Sequence, residues 1–451
     1  MTPAALAAVL VDRGLDPSEL EPKQALFEAV CGAAAGLPSP GNQSADAQSG
    51  HVWWVPGRLE VFGTHTDYAG GRTLVCAVPR GIAVVLRPMP GRTIRVTDAR
   101  RGDRVTLQRW TGGAPLGGWR HYVEVVAARL ATNFPGAATG ADIRFASDLP
   151  RASGMSSSSA LVCGLASALV RAARIEARRE WQANIREKLD VAGYYACIEN
   201  GLSFGTLPGD AGVGTHGGSE DHAAIIASGP EHLSAFGFMP MHHAGTVRVP
   251  DGWRFVIAPC GVTSSKTGSS LEPYNRLARG VELLLNLWNN ALWNNALGND
   301  AEPPAHSLGA VLASAASAPE HLRELVRGAS GPVTAGWSAA ALEKRLDHFI
   351  REDARIPAAF EAFRNGDAAM LTTLSDDSQA DADRLLGNQI PESIALAGSA
   401  RRHGAFAARS FGAGFGGSVW ALVDRGAAET FAKSWHPSAF VAAPSPPLTE
   451  L

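Results

Sequence analysis

The chain contains 451 residues, of which 45% are hydrophobic and 18% are charged. Such a composition supplies a large apolar core and excludes a mainly disordered protein. The 40 basic and 43 acidic side chains leave a formal net charge of −3, which gives no indication of a nucleic-acid or membrane-surface partner. At roughly 150 residues per domain, the length predicts two or three domains.

The cysteines and the N-terminal segment bear on the cellular compartment. The cysteines form no CxxC pair and lie in apolar or small-residue surroundings, which predicts free thiols in a reducing compartment. The N-terminal segment lacks the basic start of a signal peptide, and no apolar run approaches the roughly 18 residues of a membrane span. We therefore expect a cytoplasmic protein. The cysteines are Cys31, Cys76, Cys163, Cys197 and Cys260.

The first half of the chain mixes predicted strands and helices. Ala and Leu spaced at three and four predict a helix over residues 3–35, and a polar loop over 37–50 follows. The later predicted elements are strands at Val52–Val55, Leu59–Phe62, Gly81–Arg87, Thr93–Thr97, Arg104–Trp110 and Ala141–Ser147, and helices at Gly118–Ala131, from a serine-rich turn at 153–159 to Ala173, and at Ile185–Glu199.

The second half begins with a glycine-rich loop over 200–220 and becomes mainly helical from 272 to about Arg402. A short duplication at 287–296 is interpreted as a local insertion, and the tail APSPPLTEL is expected to be loose. This order of elements predicts an α+β protein with two lobes that meet between 235 and 255. The predicted strands are Ala223–Ala227, Gly245–Val249, Arg254–Ala258 and, after a glycine turn at 412–417, Ser418–Val423.

Three segments could carry chemistry, and the first is PGRLEVFGTHTDYAGG at residues 56–71. A strand pattern ends there in a group of polar side chains. These residue types are equally consistent with a β-turn that uses the aspartate and glycines for its geometry. The polar side chains are Arg58, His65, Asp67 and Tyr68.

The second segment, PRASGMSSSSA at residues 150–160, leads into an apolar helix. Consecutive N–H groups at a helix start, together with the helix dipole, favour an anion such as phosphate. Serine hydroxyls also offer the oxygen ligands that Mg²⁺ prefers. An ordinary serine N-cap is the alternative, but four serines in a row exceed what a cap needs.

The third segment, GAGFGG at residues 412–417, matches the GxGxxG pattern of dinucleotide-binding sites. That pattern must leave a strand and open a helix, whereas here a strand pattern follows. The sequence therefore argues against a nicotinamide-dependent oxidoreductase. A Walker A loop is also absent, since Ser264–Thr267 (SSKT) lacks the required glycines.

Taken together, the three segments resemble the three motifs of the GHMP kinase superfamily, and are most similar to those of galactokinases. Galactokinases carry PGR…GEHTDY, P…GLSSSAS and TGAGFGG, and the resemblance extends from about residue 52 to 425. It implies a two-lobed α+β GHMP kinase fold with the active site in the cleft. The expected lobes are an N-terminal mixed-sheet lobe at 1–240, with the sugar and ATP-phosphate motifs, and a C-terminal helix-rich lobe at 241–451.

The resemblance also implies roles for individual residues. Asp221 and Arg58 fall on catalytic positions, and Ser158 and Glu199 on those of the Mg²⁺ ligands. The sugar-contacting positions are His65, Asp67, Gly218, Tyr274 and Thr64. The turn expected to hold the ATP phosphates is Ser153, Gly154, Met155, Ser156, Ser157, Ser158 and Ser159, and the third motif supplies Gly412, Gly414, Gly416 and Gly417.

The implied chemistry is physically consistent. Phosphoryl transfer needs positioning and charge neutralisation, a carboxylate such as Asp221 can accept the proton of a sugar hydroxyl, and Arg58 beside it would keep that carboxylate ionised. Taken alone, Asp221 would be interpreted as a helix cap, but its place among the motifs argues against that interpretation. The expected function is transfer of the ATP γ-phosphoryl group to the anomeric hydroxyl of galactose or a related sugar.

The chain departs from the galactokinase pattern at several positions. The glutamate of GEHTDY is Thr64, which is shorter and neutral. We therefore expect galactose to be accepted weakly, a sugar altered at the carbon facing Thr64 to be preferred, and Thr64→Glu to raise galactose turnover relative to that sugar. The glutamine after the catalytic aspartate is His222, the cysteine after the third motif is Ser418, and a longer loop before Asp221 brings in a second candidate base, Asp210.

Two alternative functions remain open at the level of sequence. One is a GHMP kinase for another acceptor, such as a pentose, a uronic acid or another hexose. The other is a catalytically silent sugar sensor, against which the retained catalytic positions argue. The expected partners are a sugar and ATP, without nucleic acid or membrane, for a protein that is a monomer or a weak homo-oligomer.

Overall fold

The structure is a computed structural model. It describes residues 1–32, 50–111, 116–150, 154–262, 270–295, 303–329 and 336–451, apart from the side chains of 292–295. Ser153 and the SSKT segment lie outside the described residues, as do most of the predicted polar loop at 37–50 and Ala296 of the duplication.

Helices surround two sheets. In chain order the helices are α1 Pro3–Asp12, α2 Leu20–Cys31, α3 Trp119–Asn133, α4 Ser157–Ala172, α5 Arg179–Asn184, α6 Lys188–Asn200, α7 Glu220–Ala227, α8 Leu271–Asn295, α9 Leu308–Ser314, α10 Ala318–Gly328, α11 Ala339–Asn365, α12 Ala368–Asp381, α13 Pro391–Arg402 and α14 Ala428–Trp435. No helix in the described part of the chain is long and apolar enough to cross a membrane.

The strands are β1 His51–Phe62, β2 Arg72–Met89, β3 Ile94–Asp98, β4 Arg104–Leu107, β5 Gly140–Ser147, β6 His232–Gly237, β7 His242–Arg248, β8 Trp253–Pro259, β9 Ala407–Phe411, β10 Ser418–Asp424, β11 Phe440–Ala442 and β12 Thr449–Glu450. The first sheet follows the order β12-β1-β2-β5-β3-β4, with β6 and β7 extending from β2. The second sheet follows the order β11-β8-β10-β9. The α+β prediction is thereby confirmed.

Strand β2 organises the first sheet because it is 18 residues long and has different partners along its length. Arg72–Val75 pair with β6, while Ile82–Met89 pair with β5. Strand β1 is antiparallel to β2, and its register shifts twice, next to Arg58 and next to Glu60. These irregularities lie where β1 carries its polar side chains.

One continuous apolar core joins the two sheets. Its members include Val84 of β2, Leu165 of α4, Ile257 of β8, Phe363 of α11 and Trp420 of β10, each at most 2% exposed. Helix α4 approaches β2 so closely that a Cβ at Gly164 would lie 2.8 Å from the Val84 side chain. The loop that leads into α4 is held against β1 by a hydrogen bond from Arg58 N to Met155 O (3.3 Å).

Two sequence predictions about elements are wrong. The predicted strand Ala223–Ala227 is the greater part of helix α7; a short apolar run fits either element, and the acidic residues Glu220 and Asp221 in the first turn favour a helix. The helix predicted over 3–35 is two helices, α1 and α2, which are separated at Gly14, where φ is 98°.

The prediction of a loose C-terminal tail is also wrong. The tail runs across the first sheet, where Ser445 N donates to Ala77 O (3.0 Å), Leu448 N to Ile225 O (2.7 Å) and Leu451 N to Val52 O (2.9 Å). These bonds tie the tail to β1, β2 and the end of α7. The division of lobes at residue 240 stays a prediction: β7 still pairs with β6 in the first sheet, and the second sheet begins at Trp253.

Candidate active site

A polar pocket lies where β1, α4 and α7 meet the turn that joins β9 to β10. The cavity at its centre measures about 40 Å³. The pocket brings together most of the sequence-predicted catalytic and sugar-contacting residues. Its walls are Arg58, Glu60, His65, Asp67, Tyr68, Ser159, Glu199, Asn200, Thr215, Gly217, Gly218, Glu220, Asp221, His222, Tyr274, Gly412 and Ala413.

Arg58 and Asp221 form an ion pair at the centre of the pocket. Arg58 Nη2 lies 2.7 Å from Asp221 Oδ1, and Ser159 Oγ donates to Asp221 Oδ2 (3.1 Å). Arg58 Nε also lies 3.2 Å from Glu220 Oε1, although this contact lacks hydrogen-bond geometry. Burial alone would lower the pKa of Arg58, but Asp221 and Glu220 outweigh it and raise that pKa.

The predicted sugar-contacting residues Asp67, Gly218 and Tyr274 lie on one side of this pair. Asp67 Oδ2 accepts a hydrogen bond from Glu220 N (3.0 Å) at the start of α7. A Cβ at Gly218 would overlap the Asp67 carboxylate, so the close approach of the two requires glycine. Tyr274 at the start of α8 lies beside the backbone of Gly217.

His65 is held by a chain of hydrogen bonds. Arg345 Nη2 donates to Tyr68 Oη (3.0 Å), and Tyr68 Oη lies 2.8 Å from His65 Nδ1. His65 Nε2 lies 3.1 Å from Ala413 O. Since a carbonyl can only accept, Nε2 carries a proton in this arrangement.

Thr64 is the predicted sugar contact that does not line the pocket. It is 1% exposed, and its hydroxyl donates to Glu60 Oε1 and accepts from Arg409. Glu60 stands between Thr64 and the pocket space, and its Oε2 accepts from Gly412 N (3.3 Å). The structure thus presents a carboxylate at this wall, supplied by β1.

Behind this wall lies a buried set of paired charges, which we call the Glu352 network. Glu352 Oε1 accepts from Gly63 N and Arg409 Nη1 (both 2.9 Å), while Oε2 accepts from Arg355 Nη1 (3.0 Å) and Ser378 Oγ (2.7 Å). Burial alone would raise the pKa of Glu352, but the surrounding cations outweigh it and lower that pKa to about 2. The network therefore stabilises the turn that carries Thr64 and His65.

The serine loop and the third glycine motif pack against each other. Gly154 (φ 76°) and Gly412 (φ 81°) have left-handed backbones, and a Cβ at Gly412 would lie 2.8 Å from Gly154 O. Arg58 Nη1 donates to that same carbonyl. Beyond Gly412, positive φ angles recur at Gly414, Gly416 and Gly417. Only glycine adopts these conformations readily, which explains the third motif without a dinucleotide.

A second cavity, of about 490 Å³, opens on the other side of the start of α4. Ser157 and Ser158 line it, while Met155 and Ser156 are buried in the loop. The N-terminus of the 16-residue helix α4 therefore opens into this space. The other walls are Ile82, Asp98, Arg100, Arg101, Gly118, Trp119, Tyr122, Phe145, Ser147, Leu149 and Leu161.

The two predicted metal ligands lie on the walls of different cavities, Ser158 on the second and Glu199 on the polar pocket. Glu199 is 5% exposed, and its Oε2 lies 3.2 Å from His222 Nε2. A serine hydroxyl and a buried carboxylate are hard oxygen donors, and the pocket holds five carboxylates against one arginine. The donor types therefore suit a divalent cation such as Mg²⁺, although each is offered from a different cavity. Among the described residues, no group of three His, Cys, Asp or Glu side chains is arranged to hold a metal ion.

Asp210, the other candidate base, lies outside the pocket walls. Its Oδ1 lies 3.2 Å from Nη1 of Arg129, a fully buried side chain of α3. Arg129 also donates to Leu202 O and Asn133 Oδ1. Asp210 thus anchors the long loop between Glu199 and Asp221 to the body of the protein.

The sequence did not single out Glu60, Glu220 or Glu352. Glu60 had one available signal, because residues two apart on a strand share a face and Arg58 was already a candidate. Burial raises the pKa of Glu60 above its ordinary value, although Arg409 and Arg58 oppose the shift. Burial and then repulsion from Glu60 raise the pKa of Glu220 far above its ordinary value, although Arg58 opposes the shift.

Comparison with known families supports the three motifs. Residues 42–88 match the family described as "Galactokinase galactose-binding signature". Residues 121–201 match "GHMP kinases N terminal domain" and residues 359–442 match "GHMP kinases C terminal". The matched segments contain β1, the start of α4, Glu199 and the third glycine motif.

Whole-chain comparisons agree with the family matches. A galactokinase of Roseiflexus sp. (strain RS-1) is 24% identical over 387 residues, covering 85% of this chain and 86% of that protein. A galactokinase of Chloroflexus aurantiacus is 28% identical over 395 residues, covering 86% and 85%. The crystal structure of Lactococcus lactis galactokinase complexed with galactose shares the fold, with a TM-score of 0.71 at 21% identity over 90% of this chain and 97% of that one.

Proposed function

The chain belongs to the GHMP kinase superfamily and is a phosphotransferase with an alcohol group as acceptor; from this premise we propose that it transfers the γ-phosphoryl group of ATP to the anomeric hydroxyl of galactose or a related monosaccharide. The observation that carries the proposal is the buried Arg58–Asp221 pair, 2.7 Å apart. It lies next to a helix N-terminus and within the pocket that the galactose-binding signature helps to form.

The acceptor side of the reaction uses the polar pocket. Asp67, His65 and Tyr274 supply hydrogen-bonding groups around the sugar. Asp221 accepts the proton of the reacting sugar hydroxyl. The hydroxyl oxygen then attacks the γ-phosphorus as the bond to the leaving ADP oxygen breaks. Arg58 keeps Asp221 ionised and stabilises the negative charge that develops on the attacking oxygen.

The donor side uses the second cavity. The aromatic side chains of Trp119 and Tyr122 offer faces for a purine base, and the N–H groups at the start of α4 point toward the phosphates. Ser158 and Glu199 would hold Mg²⁺, which neutralises phosphate charge when bound. The start of α4 separates the two cavities, so ATP and sugar approach the Arg58–Asp221 pair from opposite sides.

The test is release of ADP from Mg²⁺-ATP over a panel of free monosaccharides, with Asp221→Asn as the matched inactive variant. Turnover that needs a sugar and is lost in the variant supports the proposal. ATP binding and sugar binding without turnover would instead make the protein a sugar sensor. Transfer to a hydroxyl other than the anomeric one, seen by phosphorus NMR of the product, would correct the position of the reaction.

A further inference from the structure

We propose that Glu60 is a specificity-determining residue of the acceptor pocket, whose carboxylate binds a sugar hydroxyl remote from the reacting one. The inference rests on the proposed sugar kinase activity and deepens it. It revises the expectation, drawn from Thr64 alone, that Thr64→Glu raises galactose turnover.

The first support is position. Glu60 lines the pocket whereas Thr64 does not, although Thr64 is the residue that the sequence motif places there. Residues 58 and 60 are two apart on β1, and they lie roughly 7 Å apart along the strand. Arg58 pairs with Asp221 at the reacting end, whereas the hydrogen bonds of the Glu60 carboxylate come from Thr64 and Gly412. Glu60 is therefore free to bind a sugar hydroxyl other than the reacting one.

The second support is the way in which the carboxylate is held. Glu60 Oε1 accepts from Thr64 Oγ1 and lies 3.4 Å from Arg409 Nη2, while Oε2 accepts from Gly412 N at 3.3 Å. Each carboxylate oxygen can accept two hydrogen bonds, so the longer contact leaves Oε2 with capacity for a hydroxyl. Thr64 therefore orients Glu60 and is a positioning residue.

The third support is rigidity. Arg409 is 1% exposed and is fixed on its other side by Glu352. A carboxylate clamped from behind cannot turn away from the pocket, so it discriminates between hydroxyl positions rather than adapting to any of them. Thr64→Glu alone would place a second carboxylate against Glu60, and we expect it to lower both stability and galactose turnover.

The experiment measures kcat/KM for galactose and for its 2-, 3-, 4- and 6-deoxy relatives. Hydrogen bonds to charged groups correspond to roughly 10–150-fold in kcat/KM. For the wild-type protein, we expect kcat/KM on one of the deoxy sugars to be lower than on galactose by about that factor. For Glu60→Gln, we expect kcat/KM on galactose to fall by a similar factor, while kcat/KM on that deoxy sugar stays close to the wild-type value. The control is Glu231→Gln, a change of the same kind on a side chain that is 62% exposed.

Glu60→Asp keeps the charge near Arg409 but withdraws it from the pocket by one methylene, so it tests the same contact if Glu60→Gln does not fold. We expect Glu60→Asp, like Glu60→Gln, to lose most of the difference in kcat/KM between galactose and that one deoxy sugar. Both folded variants could instead keep the wild-type differences in kcat/KM between galactose and each deoxy sugar, or lower kcat/KM equally for all sugars. Either result would show that Glu60 does not bind a sugar hydroxyl, while the kinase proposal stands. If the wild-type protein phosphorylates no sugar, the kinase proposal fails and this inference fails with it.

Discussion

Two buried charged clusters lie side by side in this molecule and differ in composition. The Glu352 network surrounds its carboxylate with Arg355, Arg409 and Ser378, and the pKa of Glu352 falls to about 2. The polar pocket instead has five carboxylates in its walls and one arginine, Arg58. The pKa values of Glu60 and Glu220 are raised. Buried charges with full partners support the fold, whereas a surplus of one sign is costly without a ligand.

Glu60 belongs to both clusters, because Arg409 contacts both Glu60 and Glu352. The pocket therefore gains its charged wall from a network that is otherwise structural. Perturbed carboxylates gathered in one cleft are typical of functional sites. The four predictions below separate the two clusters by testing which changes affect chemistry and which affect folding.

The largest expected effect follows from Asp221→Asn. Loss of a general base costs roughly 10²–10⁴-fold in kcat. We expect folding to be affected less than by Glu352→Gln, because Arg58 keeps the Glu220 carboxylate as a neighbour at 3.2 Å. Steady-state kinetics and thermal unfolding measure the two effects. Asp210→Asn is the matched change in the loop: it weakens the ion pair to Arg129 and should reduce stability slightly while kcat stays within a few-fold. The reverse result would move the base to Asp210.

The opposite pattern is expected for Glu352→Gln. Removing one partner from a buried ion pair costs about 3–5 kcal/mol of folding free energy, here because Arg355 and Arg409 lose their shared carboxylate. The folded-state pKa lies below the ordinary value of 4.5, so the stabilisation is present above pH 4.5 and is lost as the pH falls toward 2. Denaturant unfolding at pH 7 and pH 3 measures the difference in the free energy of unfolding between the wild type and the variant. We expect this difference to be smaller at pH 3. A gap that is equal at both would contradict this role.

The sequence predicted the motif residues of the pocket but not the other side chains that line it. Arg58, Asp67 and Asp221 stand in motifs whose residue types reveal their chemistry, and the pocket contains all three. The direction of Thr64 could not be predicted, because His65 beside it adopts a positive φ of 59° and turns the chain. Glu220 was missed because a single acid at a helix start has no pattern of its own. The only signal for Glu60 was that it lies two residues from Arg58 on one strand, on the same face.

The fold shows the same limit. Long amphipathic helices such as α11 were predicted because their period extends over many turns, whereas α7 is eight residues long and was mistaken for a strand. The docked tail ends in the short pairing of β12 with β1. Pairing between residues about 400 positions apart leaves no local signal in the sequence, since it depends on the surface that the rest of the fold provides.

A smaller effect is expected at the predicted metal ligands. Ser158→Ala removes a hydroxyl donor at the start of α4, and Glu199→Gln removes the negative charge of a carboxylate. We expect each change to raise the Mg²⁺ concentration for half-maximal activity by roughly 10–100-fold. Binding of Mn²⁺ in the presence of a non-hydrolysable ATP analogue, followed by electron paramagnetic resonance, measures the same loss without turnover. Unchanged metal affinity in both variants would remove these residues from the metal site, while the pocket carboxylates would keep their other roles.

The smallest expected effect is a gain in stability from Glu220→Gln. Burial and the neighbouring Glu60 raise the pKa of Glu220 above the ordinary value of 4.5, although Arg58 opposes the shift. A raised folded-state pKa means that the folded protein holds this proton more tightly than the unfolded chain, so Glu220 destabilises the fold increasingly as the pH rises from 4.5 through the folded-state value.

Glutamine keeps the shape of Glu220 without its charge, and the hydrogen bond from the residue 220 amide to Asp67 stays in place because the backbone makes it. We therefore expect the free energy of unfolding of Glu220→Gln to exceed that of the wild type by about 0.5–2 kcal/mol near neutral pH, the usual size of a stabilising change. The difference should shrink toward pH 4.5. Denaturant titrations at several pH values measure it, with the exposed Glu231→Gln as the control. A variant less stable than the wild type at neutral pH would mean that Arg58 needs the charge of Glu220, and the pocket would then resemble the Glu352 network.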